Sequence, residues 1–279
     1  MELLEERNSD VEEKARITEK LGQIKEWTGE SEASIKYWNR SLTLWNQLQN
    51  SKNTAKLHVR MAHVLWDDIG DKQEASEHHK MALEMLEKEP ESAELANLYE
   101  DMSYMLWRTG ELAKAYPLAE KALELAERLK VPEVVARCYN NLGFIMGQTS
   151  ADWENALRLD EKGLKIALEN NCTEQALMLY MHVAGSWSSM GEFQKAHETN
   201  NEGFELARKV GNQYPIIYFR DSLAQDYMNM GEMQKAKSMY EENLTLAKRN
   251  KNPSNLADAL IALGDTILFW VNWIGAFSF

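Results

Sequence analysis

The chain has 279 residues, 44% apolar and 27% charged, which suffices for a continuous core and lies outside the disordered class. Its net charge of -13 sets up a field that opposes a phosphate backbone or an anionic membrane surface, so nucleic acid is not expected as a direct partner. Two cysteines, Cys138 and Cys172, are too few for a disulfide framework and read as buried thiols. The opening residues lack the basic and apolar runs of a secretory leader, and the apolar stretch from Ile267 to Phe279 is too short to span a bilayer. A cytoplasmic location without membrane contact is expected.

From the amino terminus onward the pattern repeats. Glycine followed by an acid recurs at Gly29-Glu30, Gly70-Asp71, Gly110-Glu111, Gly191-Glu192 and Gly231-Glu232, with spacings of 41, 40, 81 and 40 residues between glycines. The long gap holds a degenerate copy, Ala151-Asp152-Trp153-Glu154-Asn155-Ala156. Such a period fits one supersecondary unit of two helices and two turns, stacked on copies of itself. Met1 to Glu5 align with Leu42 to Asn46, the end of a second helix, and Ser9-Asp10-Val11-Glu12 reads as a capping box opening the first complete pair. In the third repeat Leu95, Leu98, Tyr99, Met102, Met105 and Leu106 mark a first helix. Leu112, Ala115, Leu118, Ala119, Ala122, Leu123 and Ala126 mark a second, in which Pro117 predicts a bend or a late start. Repeats are expected near residues 10–50, 51–90, 91–130, 131–171, 172–211, 212–251 and, in part, 252–279 of a single domain spanning 1–279. Both ends cut through a repeat, as in a piece of a longer array or multidomain protein. At the far end Ile267, Leu268, Phe269, Trp270, Trp273, Ile274, Phe277 and Phe279 form an apolar stripe without a covering helix, expected to promote self-association.

Small residues recur at fixed columns. Seven before the turn glycine stand Gly22, His63, Ser103, Ala184 and Ala224, with Gly143 and Gly264 in the remaining copies. Five after it stand Ser34, Ala75, Ala115, Ala196 and Ala236, with Ala156 and Ala276, and seven further on Ser41, Ala82, Ala122, Gly163, Gly203 and Asn243. Small side chains let helix backbones approach while large neighbours fill the space between them. At these columns, and at Leu21-Gly22, Leu142-Gly143, Leu263-Gly264, Tyr99, Tyr139 and Tyr180, the sequence resembles the tetratricopeptide repeat over essentially its whole length. The resemblance implies an all-α, right-handed α-solenoid of six complete helix pairs with partial repeats at both ends. A period of 40 to 41, against the family's usual length of about 34, makes the chain similar to the long-repeat arrays of bacterial signalling ATPases, of LuxR-type activators related to the maltose activator, and of kinesin light chains.

Stacked repeats are expected to line a concave groove with their first helices. The candidate partner-binding residues there are Tyr104, Trp107, Arg108, Arg137, Asn140, Asn141 and Phe144 as a central cluster, then Met181, His182, Asp221 and Gln225, and the groove-facing positions also take in Asn97, Glu100, Asp101, Gln148, Met178, Ser189, Tyr218 and Ser222. Aromatic rings supply contact area, amides can satisfy a peptide backbone, and Arg108 and Arg137 can take an acidic side chain or carboxylate. The competing reading is a solvated wall without a dedicated ligand. The asparagine ladder of some relatives is absent, since Lys20, Met61, Asp101, His182, Ser222 and Ala262 share the column of Asn141. Their carboxylate-gripping set is incomplete here, with only Lys20 and Arg60 near it.

Chemistry beyond binding finds little support. His63 with Asp67 and Glu74 with His78 have the spacing of two metal ligands on one helix face, but no third ligand accompanies either pair. His78, His79 and His197 read as surface residues, and Asp67-Asp68 and Glu100-Asp101 as solvated acids. Trp38, Trp45, Trp66, Trp153 and Trp187 fall at helix-packing positions, whereas Trp27 and Trp107 align with the groove wall. No phosphate loop, nucleophile elbow, zinc-protease or dinucleotide motif occurs, so neither a catalytic residue, a metal nor a cofactor is expected. The sequence reads as a non-enzymatic scaffold binding a protein or peptide. The alternative is a sensory or regulatory segment of a larger signalling ATPase, cyclase or LuxR-type activator, responding to an effector peptide or small molecule.

Overall fold

The computed structural model describes residues 2–211 and 213–250, with side chains at 9–26, 28–211 and 215–245. Among them the protein is all-α, with no strand. The helices fall into two compact units, residues 1–134 and 135–279. The first holds α1 (Glu2–Trp27), α2 (Ser31–Gln47), α3 (Ser51–Val64, continued by a π-helical turn over Leu65–Ile69), α4 (Lys72–Leu86), α5 (Ala93–Arg108) and α6 (Leu112–Leu129). The second is built from α7 (Pro132–Ser150), whose first residues lie at the boundary, α8 (Trp153–Glu169), α9 (Thr173–Ser189), α10 (Phe193–Val210), α11 (Gln213–Asn229) and α12 (Met233–Asn250). Each odd-numbered helix packs on the even-numbered helix that follows it.

The glycine-acid beat sets the turns. Gly29, Gly70, Gly110, Gly191 and Gly231 all adopt φ between +75° and +83°, a conformation that an L side chain resists and that ends one helix and aims the chain into the next. Ala151 does the same work in the degenerate copy at φ +52°. The acid after the turn works in two ways. Asp71 and Asp152 are short enough to accept from the N–H of Glu74 and Asn155, at 3.0 and 3.2 Å. Glu30, Glu111 and Glu192 make no cap bond and instead pair with Lys25, Lys114 and Lys195.

The small-residue columns lie in the helix seams. Ser34, Ala75, Ala115, Ala156, Ala196 and Ala236 are all buried, and Ser103 Oγ donates to the Ala115 carbonyl at 2.9 Å across the α5–α6 seam. Ser41 Oγ likewise donates to the Ala15 carbonyl at 2.8 Å, and Trp38, lying against Gly22, donates from Nε1 to the Glu19 carbonyl at 3.1 Å. A Cβ on Gly203 would collide with the Phe219 ring, and one on Gly163 would lie 3.0 Å from Tyr139 Cβ and 3.1 Å from the Ala136 carbonyl.

Several expectations are corrected. The Ser9–Glu12 capping box does not form, and the segment aligned with a second-helix end is no separate element: α1 runs unbroken from Glu2 to Trp27. That stretch contains no proline, and Asp10 and Glu12 pair along the helix with Lys14 and Arg16 instead of capping it. His63 is not the small residue of its column. The π-helical turn over Leu65–Ile69 absorbs the extra residue of the 41-residue spacing, so the fully buried Ala62 takes that place, and Arg60 rather than Met61 aligns with Asn141. Pro117 neither delays nor ends its helix: α6 starts at Leu112 and passes through it, leaving only the exposed Ala113 carbonyl without its usual partner. Cys138 and Cys172 are both buried, as expected. The apolar stripe from Ile267 to Phe279 lies outside the described residues.

Candidate functional site

In the first unit the wall of α1, α3 and α5 is laced by side chains that reach from one first helix to the next. Glu26 meets Arg60 at 3.6 Å, and burial raises the Glu26 carboxyl while Arg60 opposes the shift. His63 Nε2 lies 2.9 Å from Asp101 Oδ1, and Asn97 Nδ2 donates to Asp101 Oδ2 at 3.0 Å. Arg108 pairs with Asp67, which the π-helical turn carries toward α5. Its guanidinium also lies 5.4 Å from the centre of the Tyr104 ring and donates to Tyr104 Oη at 3.3 Å. Tyr104 and Trp107 meet edge to face at 5.2 Å, and both are half-buried. Tyr104, Trp107 and Arg108 therefore do form one cluster, but Arg108 already has an anion on the protein. Elsewhere on the first unit Lys56, Val59, Arg60, His63 and Asn97, with Ala93 and Glu94 at the start of α5, line a cleft of about 390 Å³.

In the second unit the candidate residues separate by depth. Asn140, Asn141 and Met181 are buried, and Arg137 and Phe144 are half-buried. Phe144 and His182 stack at 5.9 Å, and burial pushes the His182 imidazole down to about 4, so it is neutral near pH 7. Asp221 accepts from Asn243, and Gln225 accepts from Tyr240 Oη at 3.4 Å, so both address α12. Met178, at 41% exposed, and Tyr218, at 38%, reach solvent one repeat apart on α9 and α11, and Gln225 is exposed as well. Gly185, also on α9, is exposed, with open space where a side chain would stand.

Sequence reasoning misplaced several polar groups. Glu100 and Asp101 are buried rather than solvated. His78 and His79 are buried as well, and the His197 side chain is largely so, resting 3.8 Å from the buried carboxylate of Asp226. His58 and His78 face each other with Nδ1 atoms 2.6 Å apart, a contact that requires one ring to donate and the other to accept. Burial pushes His58 and His79 down to about 4 and lowers His78. Asp160 lies against Gly143 in the α7–α8 seam, its carboxyl raised well above the usual range by burial. Its position four residues after Ala156, on the buried stripe, was the available signal. Trp38 and Trp45 are core residues, Trp66, Trp153 and Trp187 are half-buried, and the Trp27 side chain is outside the described residues. Among the described residues no three His, Cys, Asp or Glu side chains are grouped to hold a metal, and no helix is long and apolar enough to cross a membrane.

The family model of the tetratricopeptide repeat matches residues 13–88 and 94–169, more than half of the chain. Among solved structures, a signal transduction ATPase with numerous domains and a tetratricopeptide repeat sensor, from Pyrococcus horikoshii, is similar at a TM-score of 0.69 and 16% identity, over 94% of this chain and 40% of that one. This chain thus spans less than half the length of that relative. A Rap protein complexed with competence and sporulation factor is similar at 0.67 and 15% identity, over 93% and 76%. A putative kinesin light chain from Podosopora anserina with nearly identical repeats is similar at 0.54 and 18%, over 71% and 98%. These likenesses describe the fold. No curated protein matches the sequence. On the strength of the repeat model, the chain belongs to the tetratricopeptide repeat family.

Proposed function

We propose that the protein is a peptide- or protein-binding module that uses the solvent-facing wall of its first helices and carries no catalysis of its own. The observation that supports this most is the outermost column of that wall. In the first unit it reads Arg16, Lys56 and Asn97, in the second Arg137, Met178 and Tyr218. On a chain of net charge -13 the exposed Lys56 is a local cation that suits an acidic segment, although Arg16 is already shared with Glu12, while an exposed methionine and tyrosine one repeat apart suit apolar side chains. In the first unit Tyr104, Trp107 and Arg108 would flank an acidic segment, and in the second, taken by itself, Phe144 and His182 would flank an apolar one. An acidic group meeting Arg108 would share it with Asp67. Two relatives of this fold are described in complexes of the same kind, one Rap protein with competence and sporulation factor and another with the Phr* peptide. Neither a nucleic acid nor a membrane enters this reading, and a cytoplasmic location is part of it.

A second reading is supported by the archaeal relative, in which the array is the sensor of a larger ATPase. There the same wall would receive an effector and report it to another domain. Both readings require the wall, so the wall is what must be tested. A displayed library of random twelve-residue peptides is selected on the wild-type chain, and the enriched peptides are titrated against Met178→Glu, Tyr218→Glu and Lys56→Glu. Loss of about tenfold or more in affinity at these sites, with Glu120→Ala on the exposed face of α6 unchanged, is the expected result. Equal affinities across both sets would remove the wall as the binding surface.

A further inference from the structure

Another cleft of the first unit lies away from the first-helix wall, between α4 and α5. Lys72, Ser76, His79, Lys80 and Leu83 stand at i, i+4, i+7, i+8 and i+11 of α4, so they share one helix face, and that face forms one side of the cleft. Met102, Met105 and Leu106 of α5 form the other, and Trp66 of the π-helical turn adds its ring. The cleft encloses about 440 Å³, in the range of small-ligand sites. Its place follows from the chain. Six residues, Glu87–Ser92 with Pro90 among them, connect α4 to α5, whereas three connect α2 to α3 and three connect α8 to α9. The longer link lets α4 stand off from the helix after it, and α4 packs less extensively on α5 than α8 does on α9.

The two sides differ in chemistry. The α5 side is apolar and held in place by the core, since Met105 is 5% exposed and belongs to the cluster against which Trp66 packs. The α4 side is a row of hydrogen-bond donors. His79 is 3% exposed, and its Nε2 is buried with no hydrogen-bond partner. A polar atom left in that state costs free energy that a ligand's oxygen would recover. Burial pushes the imidazole down to about 4, so the ring is neutral near pH 7 and its Nε2–H tautomer donates to a carboxylate. Lys72 and Lys80 are exposed at the edge and form no ion pair among the described residues, and the Lys72 ammonium lies 5.2 Å from the centre of the Trp66 ring. The one carboxylate of the lining, Glu111, is held by Lys114. Two cations and a buried donor thus face an apolar floor. We propose that this cleft binds a small amphipathic carboxylic acid, with its hydrocarbon body against Trp66, Leu83, Met102, Met105 and Leu106 and its carboxylate among Lys72, Lys80 and His79. The volume suits one ring or a short chain rather than a helix.

The probe is para-trifluoromethyl-phenylacetate, titrated into the full chain and followed by fluorine NMR, with the corresponding uncharged amide in a parallel titration. Wild type should bind the acid with a Kd on the order of 1 mM or tighter, and the amide more weakly. Lys80→Glu should weaken the acid at least about fivefold and leave the amide unchanged, because only the acid carries the charge that Lys80 meets. His79→Leu should also weaken the acid, and His79→Gln, which keeps a donor, should restore part of the loss. If His79→Leu fails to fold by circular dichroism, Lys80→Glu, exposed on α4, carries the test. Lys165→Glu, an exposed lysine on α8, should leave both titrations unchanged. No binding at millimolar concentration, equal binding of acid and amide, an acid affinity untouched by Lys80→Glu, or an equal loss at Lys165→Glu overturns the proposal.

Discussion

Replacing Ala151 by glycine isolates one term in the stability of this array. Five of the repeat turns place glycine at φ +75° to +83°, while the degenerate copy forces alanine into the same region at +52°. An L side chain in the left-handed region costs roughly 1–2 kcal/mol, because Cβ crowds the following carbonyl oxygen. Glycine lowers that cost but gives the unfolded chain more freedom, which opposes folding by about 0.4–1 kcal/mol. The balance for Ala151→Gly is a stabilisation of about 0.5–1 kcal/mol. The reciprocal change at Gly191 should destabilise by a similar amount. Nothing lies within 4 Å of a Cβ placed there, so no contact or clash is added and the same two terms, the backbone dihedral and the freedom of the unfolded chain, decide the outcome. Urea unfolding followed by circular dichroism at 222 nm measures both, and each kcal/mol should move the thermal midpoint by roughly 2–4 °C. A destabilised Ala151→Gly, or a neutral Gly191→Ala, would refute the account of these turns as left-handed positions paid for by glycine.

Gly203→Ala should cost about 1–3 kcal/mol despite adding a single methyl, since that methyl meets the Phe219 ring; a cost below the cost at Gly191 would mean that the seam is loose. Asp160→Asn should raise the melting temperature at pH 7. The Asp160 carboxyl is raised in the folded state, so its stability is full below the ordinary carboxylate range and falls as pH rises through the folded value. The advantage of the variant should therefore shrink on titration toward pH 4, and a constant difference would count against a carboxyl raised by burial. The His58 and His78 rings act in the opposite direction. Burial depresses both, so their contribution is full above about pH 6.5 and is lost as pH falls toward 4, with Glu74 and Glu77 easing protonation of His78. The double variant His58→Leu, His78→Leu should flatten the fall in stability between pH 7 and pH 5, and an unchanged pH profile would rule the pair out as the acid-sensitive element.

The sequence alone determined the elements and their period, because both are local. Glycines that must turn left, acids that follow them, and small residues at fixed spacing each act within one or two helices, so Gly29, Gly110, Ala115 and Ala196 could be placed without coordinates. Depth on a first helix is a different matter. Asn140, Asn141 and Met181 share the first-helix face with Met178 and Tyr218, yet the first three are buried and the last two are open. A shift of one residue turns a helical side chain by about 100°, so column counting loses its aim wherever the helix is not uniform. The π-helical turn at Leu65–Ile69 is such a place: it moves His63 out of the seam and brings Asp67 to Arg108. The charge of Arg108 was legible in the sequence, but its partner was not, since Asp67 is 41 residues away and on another helix. The burial of His58, His78, His79, Glu100 and Asp101 was hidden for the same reason. Polar residues read as surface until the neighbouring helix closes over them, and only tertiary packing decides which helix that is and which face it leaves open, as it does between α4 and α5.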